Sequence, residues 1–212
     1  WNINPEGNHA IGSGQLDGQG IPTDFFNDIH VRKAFSYLFP YNTFIEKTLQ
    51  GQGMRISGPM TRDTIGYLDE SEFYYQQDLI KSAEEFKKAW DGMLWEKGFS
   101  FDIYYTTGAE HAKTACEMIA DFAKILNPKF QINLVGVNFP TLLKELYSGR
   151  LTMYNTGWQV DFPDPHAWMS SLLLSNGTVG ASYGINYQDF AQQVIDPLIE
   201  KGIGTVLPTE RE

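Results

Sequence analysis

The chain has 212 residues, 42% of them hydrophobic, with 16 Lys and Arg against 26 Asp and Glu for a net charge of −10. Such acidity argues against a phosphate backbone or an anionic membrane as the main partner, because both select a positive surface, and the apolar content excludes disorder. A single cysteine, Cys116, excludes an internal disulfide and a cysteine-rich zinc centre, and no apolar run reaches the roughly 20 residues of a membrane-spanning helix.

The chain opens on Trp1-Asn2-Ile3-Asn4-Pro5, with neither Met nor a leader pattern. It closes on Pro208-Thr209-Glu210-Arg211-Glu212, where proline followed by acidic residues reads as a helix beginning. The expectation is a fragment in three parts: a Gly-rich entry segment over 1–25, an α/β lobe over 26–205, and a truncated helix start over 206–212. Residues 5–24 carry five glycines and no sustained period, and read as a surface loop. Their Gly12-Ser13-Gly14 and Gly18-Gln19-Gly20 clusters lack the preceding strand and following helix that a phosphate loop needs.

Asn27 or Asp28 is placed to cap a helix with Val31, Phe35 and Leu38 on its apolar side, stopped by Pro40. A short helix follows through Phe44, Ile45 and Leu49, closed by Gly51. Ser82-Ala83-Glu84-Glu85 reads as a capping box before Phe86, Trp90, Met93 and Leu94, with Gly98 as terminator.

From there the period alternates. Phe101, Ile103 and Tyr105 predict a strand, Ala112 through Leu126 a helical stripe, and Phe130, Ile132 and Leu134 a second strand. Leu142, Leu143 and Leu146 predict a short helix behind Pro140, then Leu151 and Met153 a third strand. This β-α-β-α-β order predicts an α/β fold, a parallel or mixed sheet with flanking helices, and ligands at the strands' carboxyl ends. Beyond it, Trp168, Leu172 and Leu173 suggest a short helix, Ser175 to Asn186 is turn-rich, and a last helix through Phe190 and Leu198 is interrupted by Pro197.

The third strand runs out into Asn155-Thr156-Gly157-Trp158-Gln159-Val160-Asp161, then Phe162-Pro163-Asp164-Pro165-His166. A flat indole with a carboxylate three residues on suits a ligand with a cationic head and an organic body. The same pair also reads as a core Trp beside a loop-capping Asp. Two carboxylates and an imidazole within six residues raise a metal, but the prolines hold the segment extended where a calcium loop needs a flexible turn. Asp164-Pro165 fits a helix start better. Asp161 and Asp164 as acid and base of a hydrolase form a further reading.

His9, His30 and His111 have no partner at ligand spacing and read as surface residues. Cys116 lies on an apolar stripe and reads as a buried small hydrophobe. The Tyr74-Tyr75 and Tyr104-Tyr105 pairs read as packing. No Gly-x-Ser-x-Gly elbow is present. Neither a metal site, nor a cofactor, nor a catalytic residue is expected.

Several pieces in order resemble one family: Asp28-Ile29-His30-Val31-Arg32-Lys33-Ala34-Phe35-Ser36-Tyr37, Phe44-Ile45, Gly51-Gln52-Gly53, the Gly58-Pro59 step, and Gly157-Trp158 through Asp164-Pro165. Over residues 26–200 they resemble the extracellular solute-binding proteins of family 5, which serve peptide-type ABC importers. Phe39-Pro40-Tyr41-Asn42 departs from that family's usual Ala-Ile-Asp-Arg-like step. The resemblance implies one lobe of a two-lobed periplasmic-binding-protein-like fold, closing by a hinge on a small solute. It implies delivery to a membrane permease, a monomer, and a periplasmic or extracellular location, a lipid-anchored form included. By resemblance to peptide-binding members, Asp161 pairs with a peptide ammonium group and Trp158 packs beside it, with Gln159 and Asn155 in the same ligand-binding stretch. Relatives that carry oligosaccharides or metal complexes give the alternative ligand class.

Overall fold

In the computed structural model, which describes residues 2–68 and 74–205, the chain divides into two units. A sheet unit is built from Asn2–Gly53 and Tyr75–Thr156, and a helical unit from Met54–Tyr74 and the residues from Gly157 onward. Trp1 and the helix start expected at Pro208 lie outside the described residues.

The first 25 residues of the sheet unit are loop in conformation but not in location. Ile3, Ala10, Ile11 and Ile21 are buried, so the expectation of a surface loop is corrected. No period marks them because each reaches the core by its own device: a 3-10 turn over His9–Ile11, then an antiparallel bridge between Gly12 and Gly20. The bridge explains its glycines, since a Cβ on Gly12 would sit 2.1 Å from the Gln19 carbonyl oxygen.

Asp28 starts α1 (Ile29–Leu38), accepting from the His30 amide at 2.7 Å, and the helix buries Val31, Ala34 and Leu38. α2 (Tyr41–Thr43) runs on through a π turn over Phe44–Thr48 to Gly51, whose φ is +76°. α3 (Leu79–Lys88) begins one turn earlier than the capping-box reading has it. Asp78 is the cap, accepting from the Lys81 amide at 3.0 Å, because the earlier start brings Leu79 against the core. Ser82 is instead fully buried within the helix, its hydroxyl donating to the Ala34 carbonyl at 2.8 Å. The expected run on to Gly98 is broken by a 3-10 turn over Ala89–Gly92, in which Trp90 and Asp91 both have φ of +54°. The second oxygen of Asp28 accepts from the Trp90 amide at 2.6 Å, so one carboxylate caps α1 and holds the break. α4 (Met93–Lys97) then ends at Gly98 as expected.

The β-α-β-α-β run follows as β1 (Phe99–Thr106), α5 (Glu110–Leu126), β2 (Phe130–Val137), α6 (Phe139–Tyr147) and β3 (Met153–Tyr154). The strands are parallel in the order β2-β1-β3, with Phe99 opposite Phe130 and Ile103 opposite Met153. Phe99, Phe101 and Ile103 face inward, and Phe99 stacks on Phe130 with centroids 4.4 Å apart. Phe25, Phe35 and Phe86 complete an aromatic core. Cys116 is buried on α5, and burial pushes its thiol up to about 11.

In the helical unit, Asp164 caps α7 (Pro165–Leu172), accepting from the His166 amide at 2.8 Å, and Trp168 is buried. α8 (Ile185–Phe190) passes through a π turn over Ala191–Ile195 into α9 (Asp196–Gly204). Pro197 therefore does not interrupt the helix. It falls in the first turn of α9, where its missing N–H costs least, and the π turn takes up the change of register. The Asp196 carboxylate accepts from the Ser175 amide at 2.9 Å and its hydroxyl at 2.6 Å, and the Tyr187 hydroxyl donates to the Leu173 carbonyl at 2.6 Å.

Candidate functional site

β3 is only two residues long, and its ladder ends where the Asn155 amide donates to the Tyr104 carbonyl at 2.8 Å. Asn155 belongs to the sheet unit; Trp158, Gln159 and Asp161 belong to the helical unit. Gln159 and Asp161 are exposed and Trp158 is half-buried. The indole Nε1 is enclosed with no hydrogen-bond partner among the described residues. The Asp161 carboxylate likewise accepts no hydrogen bond among them. It therefore caps nothing, and the loop-capping half of the packing reading belongs to Asp164.

Asp164 and Asp161 thus have different roles within one short loop. Asp164 is committed to the first turn of α7. Asp161 is a solvent-facing carboxylate, and the segment expected to be extended is instead bent over 161–163, where the Asp164 amide donates to the Phe162 carbonyl at 2.9 Å; three residues before Asp161 stands an indole with an unused donor. That arrangement can accept hydrogen bonds from a cationic head while the ring contacts an organic body. An acid-base pair needs both carboxylates free to reach one substrate atom, and the cap removes one of them. Among the described residues, no group of three or more His, Cys, Asp and Glu is placed to hold a metal ion.

Two features of the helical unit escape the sequence reading. The first is a cavity of about 310 Å³ walled by Met60, Ile65, Met169, Leu173, Leu198 and Ile203, with His166 at its polar edge. The second is a polar knot around Tyr67. Its hydroxyl lies 3.3 Å from that of Tyr74 and accepts from the Ser57 amide at 3.4 Å. The Arg55 guanidinium stands 4.7 Å from the Tyr74 ring centroid. The hydrogen bond with Tyr74, then that with Ser57, brings the Tyr67 phenol down to about 8. Tyr74 is thus more than packing, whereas Tyr75 does pack, edge-on to Tyr37. No periodicity could mark the knot, because its members meet through turns at Thr61–Thr64 and Thr64–Tyr67. His30 is a third omission: its Nδ1 shares a 2.6 Å contact with Glu85.

The sheet unit is parallel α/β, and the chain that follows its third strand carries an exposed carboxylate and an indole. The family model for bacterial extracellular solute-binding proteins, family 5 Middle, matches residues 3–180, and the chain belongs to that family. It is similar to heme-binding protein A of Haemophilus influenzae, 28% identical over 88% of this chain and 33% of the relative. It is also similar to the periplasmic oligopeptide-binding protein OppA of Salmonella typhimurium, 26% identical over 80% of this chain and 31% of that protein. Among solved structures, the dipeptide-binding protein from Pseudoalteromonas in complex with Met-Leu superposes with a TM-score of 0.71 at 20% identity, covering 88% of this chain and 36% of that one. The chain spans about a third of the length of the curated relatives it matches.

Proposed function

We propose that the chain is part of the solute-binding component of an ABC importer, and that the whole protein captures a peptide-like solute in a cleft closed by hinge motion and delivers it to a membrane permease. Residues 26–205 act as one lobe, residues 1–25 enter near the hinge, and the protein works as a monomer outside the cytoplasmic membrane. The observation that carries the reading is the Asp161 carboxylate, exposed and without a hydrogen bond among the described residues, on the same loop as the unpartnered Trp158 indole. Asp161 is the counter-ion for the ligand's ammonium group and Trp158 a wall of the pocket, with Gln159 and Asn155 adding polar contacts. Family membership and the names of the oligopeptide- and dipeptide-binding relatives support a peptide over an oligosaccharide or a metal complex.

Lobe closure desolvates such a charge pair, and removing one member then costs about 2 to 5 kcal/mol, much of it from the charge left unpaired. In the protein extended to the length of its relatives, Asp161→Ala weakens peptide binding at least about tenfold in calorimetry against a peptide library. Asp164→Ala leaves affinity nearly unchanged and lowers stability by about 1 kcal/mol as a lost helix cap. Wild-type peptide affinity in Asp161→Ala defeats the ammonium assignment. A protein that takes up only an uncharged sugar defeats the peptide class as well.

A further inference from the structure

Three stretches of the helical unit build its cavity. Met60 and Ile65 come from the segment over 54–74, Met169 and Leu173 from α7 and its end, and Leu198 and Ile203 from α9. No Asp, Glu, Lys or Arg is among the described residues that line it, and His166 is the one titratable group among them. A charged or heavily hydroxylated group placed there would lose its water without gaining partners, whereas an apolar group gains by leaving water. Met60 and Met169 make the walls adaptable, because an unbranched thioether repacks around guests of different shape. At about 310 Å³ the cavity stands at the small end of ligand pockets, roughly 300 to 1,000 Å³, and has room for one or two side chains but not for a whole peptide.

The start of α7 ties this cavity to the candidate site. Pro165 and His166 open the helix and also line the cavity, and Asp164 fixes that helix start. Asp161 stands four residues before Pro165, at most about 14 Å away even at full extension, and the bend over 161–163 brings the two closer. All of these residues belong to the helical unit. A peptide whose ammonium group meets Asp161 advances about 3.3 to 3.6 Å per residue, so the side chain of its second or third residue comes within reach of the cavity.

We propose that the cavity is the specificity pocket of the solute site, and that it takes an apolar side chain of the leucine, methionine or phenylalanine kind from the second or third residue of a peptide held at Asp161. Resting on the ammonium reading of Asp161, the pocket adds the class of solute: peptides with a bulky apolar residue near the amino end, in preference to those with glycine or a charged residue there. Met169, Leu173 and Leu198 set the preference by contact with that side chain.

Methionine methyl spectra of the 212-residue chain test this, since their shifts follow binding even when it is weak. Ala-Leu-Leu should move the Met60 and Met169 signals, leave Met93 and Met118 of the sheet unit still, and bind at least about tenfold more tightly than Ala-Gly-Gly. Gly202 lines the cavity with nothing within 4 Å of where a Cβ would sit, so Gly202→Leu adds a side chain without displacing a neighbour. It should abolish the advantage of Ala-Leu-Leu and leave Ala-Gly-Gly binding as in the wild type. Leu198→Ala, at a position 64% exposed, should narrow the same advantage, so the result does not hang on one variant. Equal affinity for the two peptides, both weakened by Asp161→Ala, overturns the pocket and leaves the ammonium reading standing. Ala-Leu-Leu binding with Met60 and Met169 unmoved does the same. No response to either peptide up to its solubility overturns both. Met60 and Met169 signals that move with protein concentration in the absence of peptide give the cavity to a second copy of the chain and also overturn the pocket.

Discussion

The two units of this chain are stabilised in different ways. In the sheet unit Phe25, Phe86, Phe99, Phe101 and Phe130 are all essentially inaccessible and packed ring against ring. In the helical unit the buried apolar residues are few, chiefly Trp168, Val179 and Ala191, while Met54, Leu68, Phe162, Phe190 and Leu198 are each more than half exposed. What orders it instead is polar: the Asp196 tie to Ser175, the Tyr187 bond to Leu173, the Asp164 cap and the knot at Tyr67. A unit held by directional bonds keeps its shape while leaving apolar surface and a free carboxylate available for other contacts. Of the proposed ligand-binding residues, Trp158, Gln159 and Asp161 belong to the helical unit and Asn155 to the sheet unit.

The contrast breaks first at Phe25. Phe25→Ala removes a fully buried ring that meets Phe26, Phe99, Phe101 and Trp90, and should cost about 3 to 5 kcal/mol in denaturant unfolding followed by Trp90 and Trp95. If residues 26–205 are one lobe, the transition reported by Trp158 and Trp168 moves with it. Separate transitions limit the effect to the sheet unit and end the single-lobe proposal. A loss under 1 kcal/mol would mean that the aromatic core is not what holds the scaffold.

Asp196→Ala should come next. It strips two bonds from Ser175, which is 7% exposed, and leaves a buried amide and hydroxyl short of an acceptor, at a cost of about 1 to 3 kcal/mol. Hydrogen exchange should rise first between residues 165 and 204 and leave β1 and β2 protected. Exchange that accelerates in β1 and β2 to the same degree would contradict the claim that this tie belongs to the helical unit.

Legibility in the sequence follows the same division. The β-α-β-α-β run could be read because its period is enforced by burial on one face: alternate residues of β1 and the 112, 115, 116 and 123 positions of α5 all point inward. Gly98 and the Asp164-Pro165 start were legible for a local reason, since each acts on the turn it belongs to. Ser82 misled because a capping box is local chemistry, whereas burial of Leu79 and the long-range bond from Ser82 to Ala34 chose the start. The Asp196–Ser175 tie, the second bond of Asp28 and the Tyr67 knot join residues 21, 62 and 7 positions apart with no period to announce them. Of the site, the sequence shows which residues stand after the third strand. The Asp-Pro step already sets Asp164 apart as a helix cap, and the coordinates add that Asp161 is exposed and has no hydrogen bond among the described residues.

The smallest effect concerns pH and returns to the sheet unit. Burial pushes the Glu85 carboxyl up, but the bonds from Lys88 Nζ at 2.8 Å and with His30 Nδ1 at 2.6 Å outweigh it and hold the group below the usual glutamate range. A carboxyl with a depressed folded pKa stabilises fully above its unfolded value, near 4.5, and loses that contribution as pH falls through the folded pKa. The pair is partly screened, with His30 37% and Lys88 54% exposed, so the contribution is on the order of 0.5 kcal/mol. Comparison with Glu85→Gln isolates it from Asp102, whose carboxyl burial pushes up and whose pH dependence therefore runs the other way. The gap between wild type and Glu85→Gln in the Trp90 and Trp95 transition should be constant at neutral pH and shrink below about pH 4. A gap that instead widens as pH falls would reverse the sign assigned to Glu85, and with it the account of how α1 and α3 are tied.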